Sequence, residues 1–260
     1  MIKLIATDID GTILIPEGEF TSGVKAYISE LNKNNVKIVL VTGRMKSSAK
    51  IIADELKLLT PIVSYQGGLV TEGDEILYEK YLTTEQAEKI IEWASVEGIH
   101  INLYNNDILY SEKDDEEIRR YSSIQHVPYE VKDFSEIKKD KVNKILAIDY
   151  TNPERISKYE RELPYIFPDL YIIKSTQYFL EFSNTEASKY CAVKFLQKYW
   201  GIDESETLCI GDQNNDIELL RAGNIRVAMG NATEELKKHA GYITDTVYND
   251  GFVKAIKKFI

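Results

Sequence analysis

Two cysteines in 260 residues are too few to staple a chain of this length, so a disulfide framework is excluded and a reducing, cytoplasmic setting is expected. Lysine and arginine form no run that could track a polyanion, and 42 acidic residues outnumber 32 basic ones to give a formal charge of -10. Nucleic acid is therefore excluded as a partner class. No apolar run approaches the length of a membrane span, and Lys3 places a charge ahead of any signal-peptide core. No membrane association is expected. Internal repeats and low-complexity tracts are missing as well, which leaves an ordinary globular chain, 43% hydrophobic and long enough to bury one large core or two modest ones. An acidic protein repels anions at long range. Any anion site must therefore supply its own positive charge, from a metal ion, a lysine or backbone N–H groups.

What is present alternates between two textures. The runs Ile2 to Thr7, Val36 to Val41 and Thr207 to Ile210 are apolar on nearly every residue, as strands covered on both faces are, and helical stripes separate them. One such stripe is Val24, Ile28 and Leu31; another is Ala49, Ile52, Ala53 and Leu56. A strand is expected at Ile62 to Tyr65, then a turn at Gln66-Gly67-Gly68 and a hairpin of Leu69 to Thr71 with Ile76 to Glu79. From about Thr83 the strands turn tyrosine-rich and alternating, which suits a sheet with one wet face. Helices are expected at Thr84 to Glu97, Asp114 to Ile124 and Pro153 to Leu163, with strands near His100 to Tyr104, Lys144 to Tyr150 and Tyr171 to Phe182. The first texture returns with a helix at Ser188 to Trp200. The pattern predicts an α/β fold: a doubly wound, mostly parallel, Rossmann-like core formed by residues 1–82 and 184–260, with an α+β cap inserted at 83–183.

Ligands of such sheets bind beyond the carboxyl ends of the strands, and four groups of reactive residues stand there. Asp8-Ile9-Asp10-Gly11-Thr12 ends the first strand. Its two-residue spacing lets both carboxylates project the same way, one to attack and one to handle protons, while Gly11 permits a sharp turn and Thr12 fixes it through its hydroxyl. Thr42 and Gly43 close the second strand with a hydroxyl and an unhindered amide, a neutral cradle for phosphate. Lys189, at the start of a helix, offers an ammonium group to an anion. Gly211-Asp212-Gln213-Asn214-Asn215-Asp216 follows another apolar strand, where Asp212 suits a hard cation or the cap of a helix. Asp8, Asp10 and Asp212 at neighbouring strand ends would concentrate negative charge that only a divalent cation relieves, and magnesium accepts such a ligand set.

At these residues the chain resembles the haloacid dehalogenase superfamily, and within it the Cof-like sugar-phosphatase branch with a large cap between its second and third motifs. The motifs occur in order as Asp8-x-Asp10-Gly11-Thr12, Val41-Thr42-Gly43-Arg44, Lys189 and Gly211-Asp212-x-x-Asn215-Asp216. The resemblance implies a phosphatase in which Asp8 attacks phosphorus and Asp10 protonates the leaving alkoxide, then deprotonates the attacking water. It further implies magnesium on the Asp8 carboxylate, the Asp10 carbonyl and Asp212, with Asp216 in support, and non-bridging oxygens held by Thr42, the amides of Ile9 and Gly43, Lys189 and Asn215. The cap would choose the leaving group. The branch usually has glycine on both sides of the lysine, where this chain has Glu186 and Tyr190. It also usually has Asn-Gly where this chain has Gln66-Gly67, a change expected to touch the junction with the cap more than the chemistry. Tyr104, Asn102, Tyr178 and His100 are candidates to line the substrate pocket or simply to pack the cap, and Cys191 and Cys209 are expected to be inert. A phosphomutase would keep every motif and differ only in the acceptor. A phosphate-accepting receiver module, or a dehalogenase with no use for Asp10 or a metal, fits less well.

Overall fold

The computed structural model describes residues 1–260. The chain begins with β1 (Leu4–Thr7), α1 (Val24–Lys33), β2 (Lys37–Leu40), α2 (Lys46–Glu55), β3 (Ile62–Ser64), β4 (Leu69–Glu72) and β5 (Glu75–Glu79). It continues with α3 (Thr84–Glu97), β6 (His100–Asn105), β7 (Ile108–Ser111), α4 (Glu116–Gln125), β8 (Glu130–Val131), β9 (Val142–Ile148), α5 (Pro153–Ile166), β10 (Leu170–Thr176) and β11 (Phe179–Asn184). It ends with α6 (Lys189–Trp200), β12 (Thr207–Gly211), α7 (Ile217–Arg221), β13 (Ile225–Ala228), α8 (Glu234–His239), β14 (Tyr242–Ile243) and α9 (Gly251–Phe259). Two compact units result, one of Met1–Tyr78 with Ser188–Ile260 and one of Glu79–Ala187.

The first unit is built on a five-stranded sheet in the order β14-β13-β12-β1-β2, with parallel pairing throughout. Because side chains alternate across a strand, the largely apolar β1 serves two cores. Ile5 packs with Ile38, Leu208 and the stripe of α1, whereas Leu4 and Ala6 pack with Val39, Cys209 and the Ala192, Val193 and Leu196 face of α6. β1 lies between β12 and β2, so the carboxyl ends of these three strands are neighbours. β3, β4 and β5 form a separate small sheet, tied to the main one by a parallel bridge between Val41 and Val63.

The second unit is a six-stranded sheet, β10-β11-β9-β6-β7-β8, with α3 and α5 on one face. Capping sets both helices. Thr83 and Gln86 form a reciprocal capping box before α3, and Asn152 caps α5 with Pro153 in its first turn. Leu103, Ile145, Ala147, Leu180 and Phe182 meet those helices. The opposite face is polar: Lys144 and Glu181 form a buried ion pair of 2.6 Å, and the Lys144 ammonium lies 5.0 Å from the centre of the Tyr104 ring. The single strand expected over Tyr171 to Phe182 is a hairpin, β10 and β11, that turns near Gln177. Its turn carries no glycine, proline, asparagine or aspartate to announce it. No helix is long and apolar enough to cross a membrane.

Candidate active site

The neighbouring ends of β12, β1 and β2 carry the residues that matter. The Asp8 amide continues the ladder by donating to the Ile210 carbonyl, which aims the Asp8 side chain off the end of β1. Beyond it the backbone turns sharply, with the Ile9 carbonyl accepting from the amides of Thr12, Ile13 and Leu14. The Ile9 side chain is wholly buried and anchors the turn in the core. Gly11 is required at the bend: its φ is +78°, and a Cβ there would lie 2.4 Å from an Asp212 carboxylate oxygen.

Lys189 is the centre of the arrangement. Only 1% exposed, its Nζ donates to Asp8 Oδ1 and to Asp216 Oδ1, each at 2.6 Å. Ligand oxygens of Asp8, Asp212 and Asp216 lie within 4.8 Å of one another, and all three residues are buried. Burial pushes the Asp8 carboxyl well above the usual carboxylate range; Lys189 opposes that shift, while Asp216, Asp212 and Asp10 add to it. Burial, then the Asp216 charge, lifts Asp212 to about 7, against Gln213, Thr12 and Lys189. Burial works against the Lys189 charge, but Asp216 and Asp8 outweigh it and hold the ammonium above its ordinary pKa. One buried cation among three acidic groups leaves an excess of negative charge, and the oxygen donor set is the kind that a hard divalent ion takes. The cluster fits such an ion.

Some details depart from the sequence reading. Asp8 and Asp10 meet different cations, Lys189 and Arg44. Asp10, with its side chain 53% exposed, is gripped by Arg44 through both carboxylate oxygens at 2.5 and 2.8 Å, and the Arg44 guanidinium also donates to Ser48. Asp10 accordingly stands outside the buried carboxylate group, and its side chain follows the fork of the arginine. The Thr12 hydroxyl, expected to fix its own turn, instead donates to Asp212 Oδ1 at 3.2 Å and so bridges two motifs, while the Thr12 amide serves the turn. Asp212 is not a helix cap. Its other oxygen accepts from Gln213 Nε2, and it is Asp216 Oδ2 that accepts from the Asp212 and Gln213 amides.

Thr42 is buried, its hydroxyl accepts from the Arg44 amide at 3.1 Å, and Gly43 follows at the end of β2. Asn215 directs its Nδ2 to Gln66 Oε1 at 3.1 Å, which places Gln66 inside the site. Gln66 is thus not merely a junction residue. Arg44, Gln66 and Gln213 are site residues to which the sequence assigns no role, although Arg44 and Gln213 stand inside the second and fourth motifs and Gln66 at the Gln-for-Asn change. In the second unit, His100 is held between Asp115 Oδ2 at 2.9 Å and Asn102 Oδ1 at 2.7 Å, beside Glu117, where Asp115 also caps α4. Asn102 and Tyr104 are buried, the Tyr104 hydroxyl donating to that of Tyr121, and Tyr178 lies at the β10–β11 turn. Cys191 and Cys209 are free thiols, and burial pushes that of Cys209 up.

Comparison with known proteins identifies the family. A Streptococcus pyogenes relative is 31% identical over 100% of this chain and 98% of its own length. Phosphatase YwpJ of Bacillus subtilis is 25% identical over the full length of both chains. The crystal structure of a haloacid dehalogenase-like hydrolase from Bacteroides thetaiotaomicron superposes with a TM-score of 0.88 at 27% identity, covering 100% of both. Residues 5–256 match the family described as haloacid dehalogenase-like hydrolase, so the chain is a member of that family of hydrolases.

Proposed function

We propose that the protein is a magnesium-dependent phosphatase that hydrolyses the phosphate monoester of a small metabolite through an aspartyl-phosphate on Asp8. The observation that carries the reading is the buried Lys189 ammonium, 2.6 Å from both Asp8 and Asp216 and next to Asp212. Lys189 holds the attacking carboxylate by one oxygen, which leaves the other to react, and a divalent ion at the cluster would offset the remaining negative charge as a dianion enters. The phosphatase name of the Bacillus relative agrees.

In the first displacement an Asp8 oxygen bonds to phosphorus, the bond to the leaving oxygen breaks, and protonated Asp10 gives that oxygen its proton. In the second, Asp10 takes a proton from water, water oxygen bonds to phosphorus, and the Asp8–phosphorus linkage opens to regenerate the carboxylate. Thr42, the amides of Ile9 and Gly43, Lys189 and Asn215 hold the non-bridging oxygens. Asp8, the Asp10 carbonyl and Asp212, with Asp216 behind them, would hold magnesium, which would supply charge neutralisation and polarisation of the phosphoryl group. Phosphate release from a panel of phosphate monoesters, with magnesium and with a chelator, tests the reading. Transfer to a sugar hydroxyl without release would redirect it to a mutase, and inertness toward the whole panel would overturn it.

Two further outcomes are expected. Exchanging Arg44 for methionine frees Asp10 from its bidentate grip, so kcat falls about ten- to a hundredfold, a part of the roughly hundred- to ten-thousandfold that general acid–base catalysis supplies. Inhibition by inorganic phosphate barely changes, because Arg44 holds Asp10 and not the phosphate cradle. An unaltered kcat would separate Asp10 from the proton transfers.

The second outcome concerns metal and pH. A folded-state pKa of about 7 for Asp212, against an ordinary 3.8, means that the metal-free folded chain holds a proton that the unfolded chain has lost. Stability of the metal-free protein is therefore expected to fall as pH rises between those values. Magnesium removes that penalty at high pH and competes with the proton at low pH. Its effect on Tm should be several degrees at pH 8 and small at pH 5. A Tm indifferent to magnesium at pH 8 would argue against the site.

A further inference from the structure

We propose that Gln66 is a positioning residue for phosphate binding, one that holds Asn215 and the Thr42–Gly43 loop in register with Lys189. The inference rests on the phosphatase reading, because Asn215, Thr42 and Gly43 are there the groups that take phosphate oxygens.

The turn after β3 is unusual in its backbone. Tyr65 and Gln66 both adopt left-handed conformations, φ +51° and +58°, while 0% and 2% exposed. Neither is glycine, asparagine or aspartate, and consecutive residues of this kind cost free energy that the surrounding contacts must offset. Those contacts lead to three of the four motifs. The Tyr65 amide donates to the Arg44 carbonyl and the Gln66 amide to the Thr42 carbonyl, so the turn is hydrogen-bonded to the second motif along its length. Gly67, φ +103°, runs so close to the start of α6 that a Cβ on it would lie 2.1 Å from the Ser188 carbonyl oxygen, one residue before Lys189.

The side chain of Gln66 completes the connection. Its Nε2 lies where a Cβ on Gly43 would come within 2.5 Å, so the carboxamide packs directly against the Gly43 backbone. Its Oε1 accepts from Asn215 Nδ2 at 3.1 Å. The other end of the Asn215 carboxamide, Oδ1, is buried and has no hydrogen-bond partner. Gln66 is therefore the side chain that fixes which way Asn215 presents its N–H donors. Glutamine reaches across this gap because it is one methylene longer than the asparagine usual in the branch. Strain in the turn, close packing on Gly43 and the one-sided tether of Asn215 converge on the same side chain.

Three variants test this with p-nitrophenyl phosphate as substrate, inorganic phosphate as competitive inhibitor and Tm as the control on folding. Gln66→Met keeps the length and loses the amide. Gln66→Asn keeps the amide, tolerates the left-handed backbone better than glutamine and stops short of Asn215. Both should raise KM and the inhibition constant for phosphate about tenfold with a smaller change in kcat, and Gln66→Asn should do so at undiminished Tm. Adding Asn215→Ala to either should cost little beyond Asn215→Ala alone, since the two residues act as one unit. Unchanged phosphate inhibition in both single variants, or full additivity with Asn215→Ala, would overturn the proposal while leaving an active parent and the phosphatase reading intact. Failure of the parent itself to release phosphate would instead remove the reading and the inference together.

Discussion

Asp8→Asn removes phosphate release, by about a millionfold or to below detection, the scale of loss met when a covalent nucleophile is deleted. The variant keeps the shape of the side chain and its length but cannot form the acyl phosphate. It is expected to fold at least as well as the parent when no metal is present. Asp8 is buried beside Asp216, Asp212 and Asp10, all of which disfavour its charge, and only Lys189 favours it. A neutral amide still offers an oxygen to Lys189, so the substitution removes repulsion at the cost of part of one ion pair. Phosphate release and thermal unfolding, measured on the same preparation, separate the two effects. Turnover close to that of the parent would remove Asp8 from the chemistry, and a collapse of Tm would show that the residue is needed chiefly for the fold.

Much of the core was legible because a nearly all-apolar run of strand length, such as Leu4–Thr7, has few alternatives to a strand covered on both faces. Caps were legible for a similar reason: Thr83 with Gln86, and Asn152 with Pro153, are residues whose chemistry demands the start of a helix. The β10–β11 hairpin was not legible, since its turn near Gln177 uses residues without a conformational preference. The β6–β7 turn was readable in principle: Asn106 and Asp107 both take left-handed backbone, φ 52° and 62°, and both residue types tolerate it.

In the site, order along the chain identified Asp8, Asp212, Asp216 and Lys189, but spacing does not encode which partner an atom meets. That Asp216 spends one oxygen on Lys189 and the other on two backbone amides depends on how α6 and the loop after β12 close on each other. The grip of Arg44 on Asp10 joins residues 34 positions apart, and its only trace in the sequence is the arginine that follows Thr42-Gly43. Gln66 was read from its place next to the insertion, whereas its side chain extends back to Gly43 and Asn215.

Lys189→Met is expected to damage stability and activity together, and for one electrostatic reason. The ammonium is the cation that sits 2.6 Å from both Asp8 and Asp216, and methionine fills a similar volume without charge. Without it, three buried carboxyl groups within 4.8 Å of one another have no side-chain cation between them. Breaking a buried pair from one side costs about 3 to 5 kcal/mol, which for a chain of this size lowers Tm by roughly 10 °C. The deficit should narrow at pH 5, where Asp8 and Asp212, both raised by burial, recover protons, and with magnesium at pH 8. Activity should fall about a hundred- to a thousandfold even with magnesium saturating, because the phosphoryl group loses a charged donor. The combination with Asp8→Asn distinguishes charge from packing. Removing one stranded carboxylate should restore part of the lost Tm with no return of turnover, whereas a double variant as unstable as Lys189→Met alone would assign the loss to the shape of the lysine stem.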